Sequence, residues 1–232
     1  IKVLRYQIPS WDDLKPQQRI YAYHLTQAGL AGRDIMWDCN YRHNLEIRKA
    51  LEAILSSDDV IDHESQQYVD FEVYAKRVFF ANGIHHHYSN KKFSADFDQA
   101  WFLSTLESIG ITLSEEAQRA IFDPEFDAKK VNRADGVDLL LASAVNFYAP
   151  DISQEEAEAF YAAKVDADPD RPVSHGLNSR LSRNENGEIY EEVFSARGRY
   201  ASSIQEIIGH LEKAKDVAEN TDQAAALKLL IE

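Results

Sequence analysis

The amino-acid sequence predicts a predominantly α-helical α+β protein, with a small antiparallel β hairpin in its C-terminal third. Apolar residues recur at helical spacing through the first two-thirds of the chain. Serine, proline and glycine stand where those helices are expected to begin and end. Near the C-terminus, the dipeptide Asn186-Gly187 separates two strand-like arms, which is a strong signal for a hairpin.

The helical part is predicted to extend over residues 10–165. We expect helices with caps or turn residues at both ends, because these fix the boundaries that apolar spacing alone leaves open. The first is predicted from Ser10 to Leu30, with Asp13 as a capping partner and Pro16 in an early turn. The others are predicted over 44–56, over 66–82, from Ser94 to Ile109, from Ser114 to Phe122, and from the Ser153–Glu156 capping box to about Lys164. The apolar run 137–148 is interpreted as helical, and 166–172 as a loop.

The C-terminal third is predicted to hold the hairpin over 174–196 and helices over 200–231. The hairpin arms are 174–183 and 188–195, joined by a type I′ turn in which Gly187 takes a positive φ. A long helix is expected from Tyr200 to Asn220, and a further helix begins after Thr221.

Charge and composition exclude several classes of protein. The 232 residues include 39 Asp+Glu against 25 Lys+Arg, a formal net charge of −14, which argues against nucleic-acid partners and anionic membranes. No apolar run approaches the roughly 20 residues of a transmembrane helix, and the first residues do not resemble a signal peptide, so we expect a cytoplasmic protein. Cys39 is the only cysteine, so an internal disulfide is excluded. Met36 is the only methionine, which suggests a piece of a longer protein.

The segment 82–93, with the sequence NGIHHHYSNKKF, is the most distinctive candidate site. In an extended segment His85 and His87 share a face, but zinc usually takes three or four protein ligands and no second cluster is visible. Two other interpretations stay open: an ordered turn that packs against the fold, and a loop that lines a ligand cleft. The sequence contains no nucleophile elbow, phosphate-binding loop or H-E-x-x-H motif, so its residues alone indicate no catalytic site.

Several segments together resemble the N-terminal part of the dipeptidyl peptidase III family, most closely its Bacteroidetes-type branch. They are QAGLAGRDIMWDCNYRHNLEIRKALEAI (27–54), VYAKRVFFANGIHHHYSNKKF (73–93), GLNSRLSRNENGEIYEEVFSA (176–196) and YASSIQEIIGHLEKAKDVAEN (200–220). The resemblance implies a zinc exopeptidase that removes dipeptides from the N-termini of short peptides. Its two lobes flank a cleft, where the substrate pairs partly with a strand.

The resemblance implies zinc ligands from a helical H-E-x-x-G-H or H-E-x-x-x-H motif and a glutamate from a later E-E-x-R-A-E-like motif, and neither motif occurs in this sequence. The resemblance therefore implies that residues 1–232 form the lower, substrate-side lobe and are inactive alone. This chain would hold no cofactor, and zinc would lie in a catalytic lobe of the same chain beyond these residues. Substrate-binding candidates are Asn82, His85, His87 and Tyr88, whereas Asn178 and Arg180 of the N-x-R-L pattern are expected to be structural. The alternative is a stand-alone helical interaction module derived from the same family.

Overall fold

The computed structural model describes residues 4–57, 61–164, 170 and 174–232. Helices dominate this part of the chain, and the two strands form one small antiparallel hairpin, which confirms the predicted fold class. The elements are α1 Pro16–Ala31, α2 Arg33–Asn40, α3 Asn44–Leu55, α4 Gln66–Ala81, α5 Gln99–Ser108, α6 Glu115–Phe122, α7 Gln154–Ala162, β1 Ser179–Arg183, β2 Ile189–Val193, α8 Ala201–Asp216 and α9 Thr221–Ile231, with a 3₁₀ turn at Trp11–Asp13.

The described residues form two compact units. The central unit is Met36–Glu192, and the terminal unit combines the described part of Ile1–Ile35 with Val193–Glu232. The prediction that all 232 residues form one lobe of a larger peptidase stays a prediction.

The main hydrophobic core lies in the central unit, where helices α3 to α6 pack around aromatic side chains. The apolar stripes of these helices supply residues that are almost fully buried, as their spacing predicts. They include Ile47, Leu51, Ile54, Phe71, Tyr74, Val78, Phe102 and Leu106, and Tyr41 from the turn before α3 is buried in the same core. This core holds α3 and α4 firmly, and the candidate site lies directly after α4.

In the terminal unit, α1 packs against α8 and α9 packs against α8. A small apolar cluster joins them, formed by Ala28, Leu211, Ala214 and Leu227. The side-chain amide of Gln17 donates to the carbonyl oxygens of Val217 and Ala218, both at 3.0 Å. These bonds satisfy carbonyls that a continued helix would have used, which explains why α8 ends at Asp216 rather than near Asn220.

The hairpin lies where the sequence predicts, but its turn is of another type. Gly187 has φ +83°, whereas Asn186 does not have a positive φ, so the turn is not type I′. The Gly187 amide donates to the Asn184 carbonyl at 3.0 Å, and the Asn184 amide donates to the Glu188 carbonyl at 2.9 Å. This is a three-residue loop, with a type I turn followed by a left-handed glycine.

Two predicted helix starts are wrong. The helix expected from Ser94 begins at Gln99, because the carboxylate of Asp98 accepts from the amides of Ala100 and Trp101 at 2.7 and 3.1 Å. At the N-terminus Ser10 makes no cap bond and precedes only the 3₁₀ turn. Helix α1 starts at Pro16, in the first helical position where proline is favoured.

The predicted helix over 137–148 is also wrong, because this segment forms successive turns. The carboxylate of Asp138 accepts from the amides of Leu140, Leu141 and Gln154, at 2.8 to 2.9 Å. This local side-chain bonding competes with the helical hydrogen bonds. At the other end, Leu181 of β1 forms a parallel bridge with Tyr148, so the segment finishes as a neighbour of the hairpin.

The remaining predicted boundaries can be compared only in part. The loop expected over 166–172 lies outside the described residues except for Asp170, which is in a turn. Helices α3, α4, α6, α7 and α9 agree with the sequence predictions to within one or two residues. Among the helices described, none has the length and apolar composition needed to cross a bilayer.

Candidate functional site

The candidate site is the histidine loop, residues 82–93, which begins where α4 ends. Asn82 caps that helix in the left-handed conformation, with φ +53°, and its carbonyl accepts from the side-chain amide of Asn40 at 3.0 Å. Gly83 follows with φ +149° and lies so close to Asn44 that an added Cβ would stand 2.3 Å from Asn44 Nδ2. Asn44 Oδ1 also accepts from the Ile84 amide at 3.2 Å. The entry of the loop is therefore fixed against α2 and α3.

Backbone pairing then folds the loop back on itself. His85 forms an antiparallel bridge with Lys92, and the His86 amide donates to the Lys91 carbonyl at 2.8 Å. On its other side Lys91 bridges to Lys129, and the Lys92 amide donates to the Ala128 carbonyl at 3.0 Å. Pairing on both sides leaves the exposed tip of the loop, residues 87–89, projecting from an ordered base.

His85 belongs to that base and not to the surface. Its side chain is buried, and its Nε2 lies 2.7 Å from the backbone carbonyl oxygen of Asp127. Since a carbonyl only accepts, Nε2 carries the proton, and Nδ1 is a buried acceptor for which the described residues supply no partner. Burial lowers the pKa of His85 to about 4, with the nearby Lys92 ammonium acting in the same direction. The ring is therefore neutral at pH 7.

Asp127 anchors this arrangement from the segment that follows α6. Its backbone is left-handed, with φ +50°, which turns the chain so that the carbonyl meets His85. Its carboxylate accepts from the Tyr41 hydroxyl at 2.8 Å and pairs with the Arg42 guanidinium at 2.8 Å. Burial and the Asp127 charge raise the pKa of the Tyr41 phenol, which stays protonated and donating. Tyr41 and Arg42, in the turn after α2, thus hold the residue that binds His85.

The outer part of the site is a set of four rings, which we call the aromatic patch: the exposed Phe80, His87 and Tyr88 and the half-buried His86. The rings of His86 and His87 stack with centroids 4.6 Å apart, and His87 also contacts Phe80 at 5.2 Å and Tyr88 at 4.4 Å. Phe80 is 64% exposed and Tyr88 is 84% exposed. The patch presents flat apolar faces to solvent, a surface suited to contact with a ligand that carries apolar side chains.

His86 organises the tip of the loop. Its Nδ1 accepts from the amides of Tyr88 and Ser89, both at 3.2 Å, so the remaining nitrogen, Nε2, carries the proton when the ring is neutral. The backbone amides of Tyr88 and Ser89 thus have a hydrogen-bond acceptor, although neither residue lies in a strand or helix. His87 and Tyr88 consequently project from a turn that their neighbour holds in shape.

The four predicted substrate-binding residues therefore fall into two groups. His87 and Tyr88 lie together on the exposed patch, whereas His85 is buried and Asn82 is a half-buried helix cap. A binding role for any of them stays a prediction. The sequence analysis missed Phe80, although a signal was present: of the adjacent pair Phe79-Phe80 on α4, only one ring can turn towards the core.

The structure also places the other sequence candidates. Arg180 Nε donates to the Asn146 side-chain oxygen at 3.1 Å, and the amide of that buried asparagine donates to the Asp38 carbonyl at 3.0 Å. Asn178 has a left-handed backbone, φ +53°, at the start of β1. The expectation that both residues are structural stays a prediction. In the part of the chain that the structure describes, no three His, Cys, Asp or Glu side chains converge as a metal site.

Comparison with known proteins finds similarity to solved structures and none by sequence. No family model matches the chain, and no curated protein matches it by sequence. Among solved structures, the chain is similar to DPP III from Caldithrix abyssi, with a TM-score of 0.54 and 18% sequence identity. The alignment covers 95% of this chain and 31% of that chain. The likeness shows a fold similar to that part of DPP III.

Proposed function

We propose that this chain is the non-catalytic, substrate-side lobe of a zinc-dependent dipeptidyl peptidase of the DPP III type. The observation that supports the proposal most strongly is the structural likeness over 95% of the chain to part of DPP III. The resemblance noted in the sequence segments between 27 and 220 is consistent with it, although no family model or curated protein matches the chain by sequence. The parent protein would release dipeptides from the N-termini of short peptides.

In this proposal the chain contributes binding and not bond cleavage. Neither zinc motif of the family occurs in its sequence, so the metal and the general base would come from a second lobe of the same polypeptide. That lobe and short peptides are the proposed partners. The 232 residues alone should hold no catalytic zinc and should not hydrolyse peptides.

The aromatic patch is the proposed contact surface for the peptide. His87 offers ring nitrogens for hydrogen bonds, Tyr88 offers a hydroxyl, and the ring of Phe80 adds apolar area. A shallow surface of rings tolerates many side chains, as an enzyme with broad specificity requires. The net charge of −14 would attract peptides that carry a free α-amino group, an effect that salt screens.

The test begins with the coding sequence downstream of Glu232. The proposal expects an H-E-x-x-G-H or H-E-x-x-x-H motif there, and zinc-dependent release of dipeptides by the complete protein. The isolated 232-residue chain should fold and show no activity. A stop codon directly after Glu232 would contradict the peptidase proposal and favour a stand-alone interaction module.

A further inference from the structure

A cleft of about 460 Å³ lies beside the histidine loop, between residues 91–95 and residues 121–129. Its volume is within the range of small-molecule sites. The lining combines apolar with cationic side chains, among them Phe93, Ile121, Phe122, Lys91, Lys92 and Lys129. None of the described residues that line it is an aspartate or glutamate. In a chain with 39 Asp+Glu against 25 Lys+Arg, this cleft is therefore a local concentration of positive charge.

Two of these lysines, Lys91 and Lys129, are directly opposite each other on adjacent antiparallel segments. The backbone bonds that flank the pair, at 3.0 and 2.8 Å, join 90–92 to 128–130. This pattern makes the two lysines a non-hydrogen-bonded pair, in which the side chains leave the same face and lie closest together. Like charges in directly opposite positions are destabilising. The pair therefore lowers stability unless an anion offsets the repulsion.

Within the described part of the chain, no carboxylate pairs with either lysine. Lys91 is exposed and forms no ion pair there, and Lys129 Nζ lies 3.5 Å from the neutral side-chain oxygen of Asn132. Lys92 differs from them, because its Nζ already donates to two backbone carbonyl oxygens after α6. Lys91 and Lys129 are thus the two ammonium groups available to a ligand.

Nearby acids compensate this charge only weakly. Three of them interact electrostatically with Lys92: Asp123, Glu125 and Asp127. The Asp123 carboxylate pairs with Arg119 at 3.0 Å, and that of Asp127 pairs with Arg42 at 2.8 Å. Glu125 is exposed, where water and salt screen its charge. The cleft consequently keeps its positive character.

We propose that this cleft binds an organic carboxylate, in which the charged group is attached to an apolar group. The carboxylate accepts from the ammonium groups of Lys91 and Lys129. The apolar group contacts Phe93 and Phe122, which are half-buried and line the same cleft. Apolar walls favour such a ligand over inorganic phosphate, which has no apolar surface to bury. The site is independent of the proposed peptidase function, since it uses none of the residues of the aromatic patch.

The experiment is a titration of the 232-residue chain, followed by NMR, with 3-phenylpropionate and with its neutral analogue 3-phenylpropionamide. We expect saturable binding of the carboxylate with a Kd on the order of 1 mM, and binding of the amide at least about threefold weaker. Lys91→Gln and Lys129→Gln should each weaken carboxylate binding about threefold. The matched control is Lys49→Gln, an exposed lysine of α3, which should leave the Kd unchanged.

Three results would overturn the proposal: no saturable binding of the carboxylate, equal binding of its amide, or equal affinity in the wild type and both cleft variants. The positions of the shifted signals provide a readout that needs no variant. The backbone amide signals of Ser94 and Phe122 should move on titration, since both residues line the cleft. If the largest changes fall on His87 and Tyr88 instead, the ligand binds the aromatic patch and the cleft site is refuted.

A last comparison identifies the source of the carboxylate, with the tripeptide Ala-Ala-Phe and its C-terminal amide as probes. Tighter binding of the tripeptide than of 3-phenylpropionate would indicate the C-terminus of a peptide, and the reverse order a free organic acid. In either case, amidation of the tripeptide should weaken its binding at least about threefold. Equal affinity of the tripeptide and its amide would contradict a carboxylate site.

Discussion

The imidazole of His85 donates from Nε2 to the backbone carbonyl oxygen of Asp127 over 2.7 Å. This bond connects the end of α4 to the segment after α6, two parts of the chain that are 42 residues apart. The histidines of the run therefore lie in different environments: His85 is buried at the base of the loop, and His87 is exposed to solvent. The predictions below follow from this division.

The burial of His85 makes the stability of the fold dependent on pH. Its pKa is about 4 in the folded chain against an ordinary 6.5, so between these values the unfolded chain binds more protons. Stability should therefore fall as the pH is lowered from 6.5 towards 4, by up to about 1.4 kcal/mol per pH unit from this residue. Urea unfolding of the wild type and of His85→Gln at several pH values measures the difference in slope.

The control for this measurement is His63→Gln, since His63 is exposed. His85→Gln should lose part of the wild-type pH dependence, and His63→Gln controls for the removal of an imidazole elsewhere in the same unit. Equal slopes in all three proteins would show that His85 does not titrate as its buried position requires.

Gly83 should not tolerate a side chain. It has φ +149°, and an added Cβ would lie 2.3 Å from Asn44 Nδ2, which is far inside van der Waals contact. We expect Gly83→Ala to lower the free energy of unfolding by roughly 1–3 kcal/mol. The matched control is Gly209→Ala in α8, where nothing lies within 4 Å of the new Cβ and alanine should be neutral or stabilising by up to about 1 kcal/mol. Chemical denaturation compares the two, and equal effects would refute the close packing at Gly83.

Gly187 should be replaceable by asparagine but not by valine. Its φ of +83° is in the left-handed region, which asparagine tolerates and a β-branched residue resists. Gly187→Val should destabilise the hairpin by about 1–2 kcal/mol, and Gly187→Asn by less. Amide exchange in β1 and β2 provides the measurement, with faster exchange expected in the valine variant only. Unchanged protection in that variant would contradict the turn described above.

Replacing His87 or Tyr88 with Ala should weaken peptide binding by the complete protein. Loss of one good hydrogen bond costs about 1 kcal/mol, which is a several-fold change in Kd. The zinc content and melting temperature should stay the same, because both side chains are exposed. If these variants melt at a lower temperature yet bind peptides with unchanged affinity, the aromatic patch is structural and the binding proposal for it fails. His63→Ala provides an exposed control in the same unit.

The fold class could be predicted from the sequence because helical periodicity and capping residues are local signals. The sequence located the hairpin at Asn186-Gly187 for the same reason. It was wrong at 137–148, where Asp138 organises turns through contacts with Gln154, and at Ser94, where Asp98 four residues later is the actual cap. In both cases an acidic side chain that binds backbone amides decided the outcome, and apolar spacing does not reveal such a bond.

The site could be predicted only as a segment. The run 85–87 marked the loop, but its three imidazoles have different environments that are set by residues distant in sequence. The Asp127 carbonyl accepts the hydrogen bond of the buried His85, and the Phe80 ring contacts His87.

The most direct test of the central claim is mass-spectrometric analysis of the products that the complete protein forms from a short peptide with a free N-terminus. The account predicts successive release of N-terminal dipeptides, loss of that activity with a zinc chelator, and no product from the 232-residue chain alone. Release of single amino acids, cleavage in the middle of the peptide, or chelator-sensitive hydrolysis by the isolated chain would contradict it.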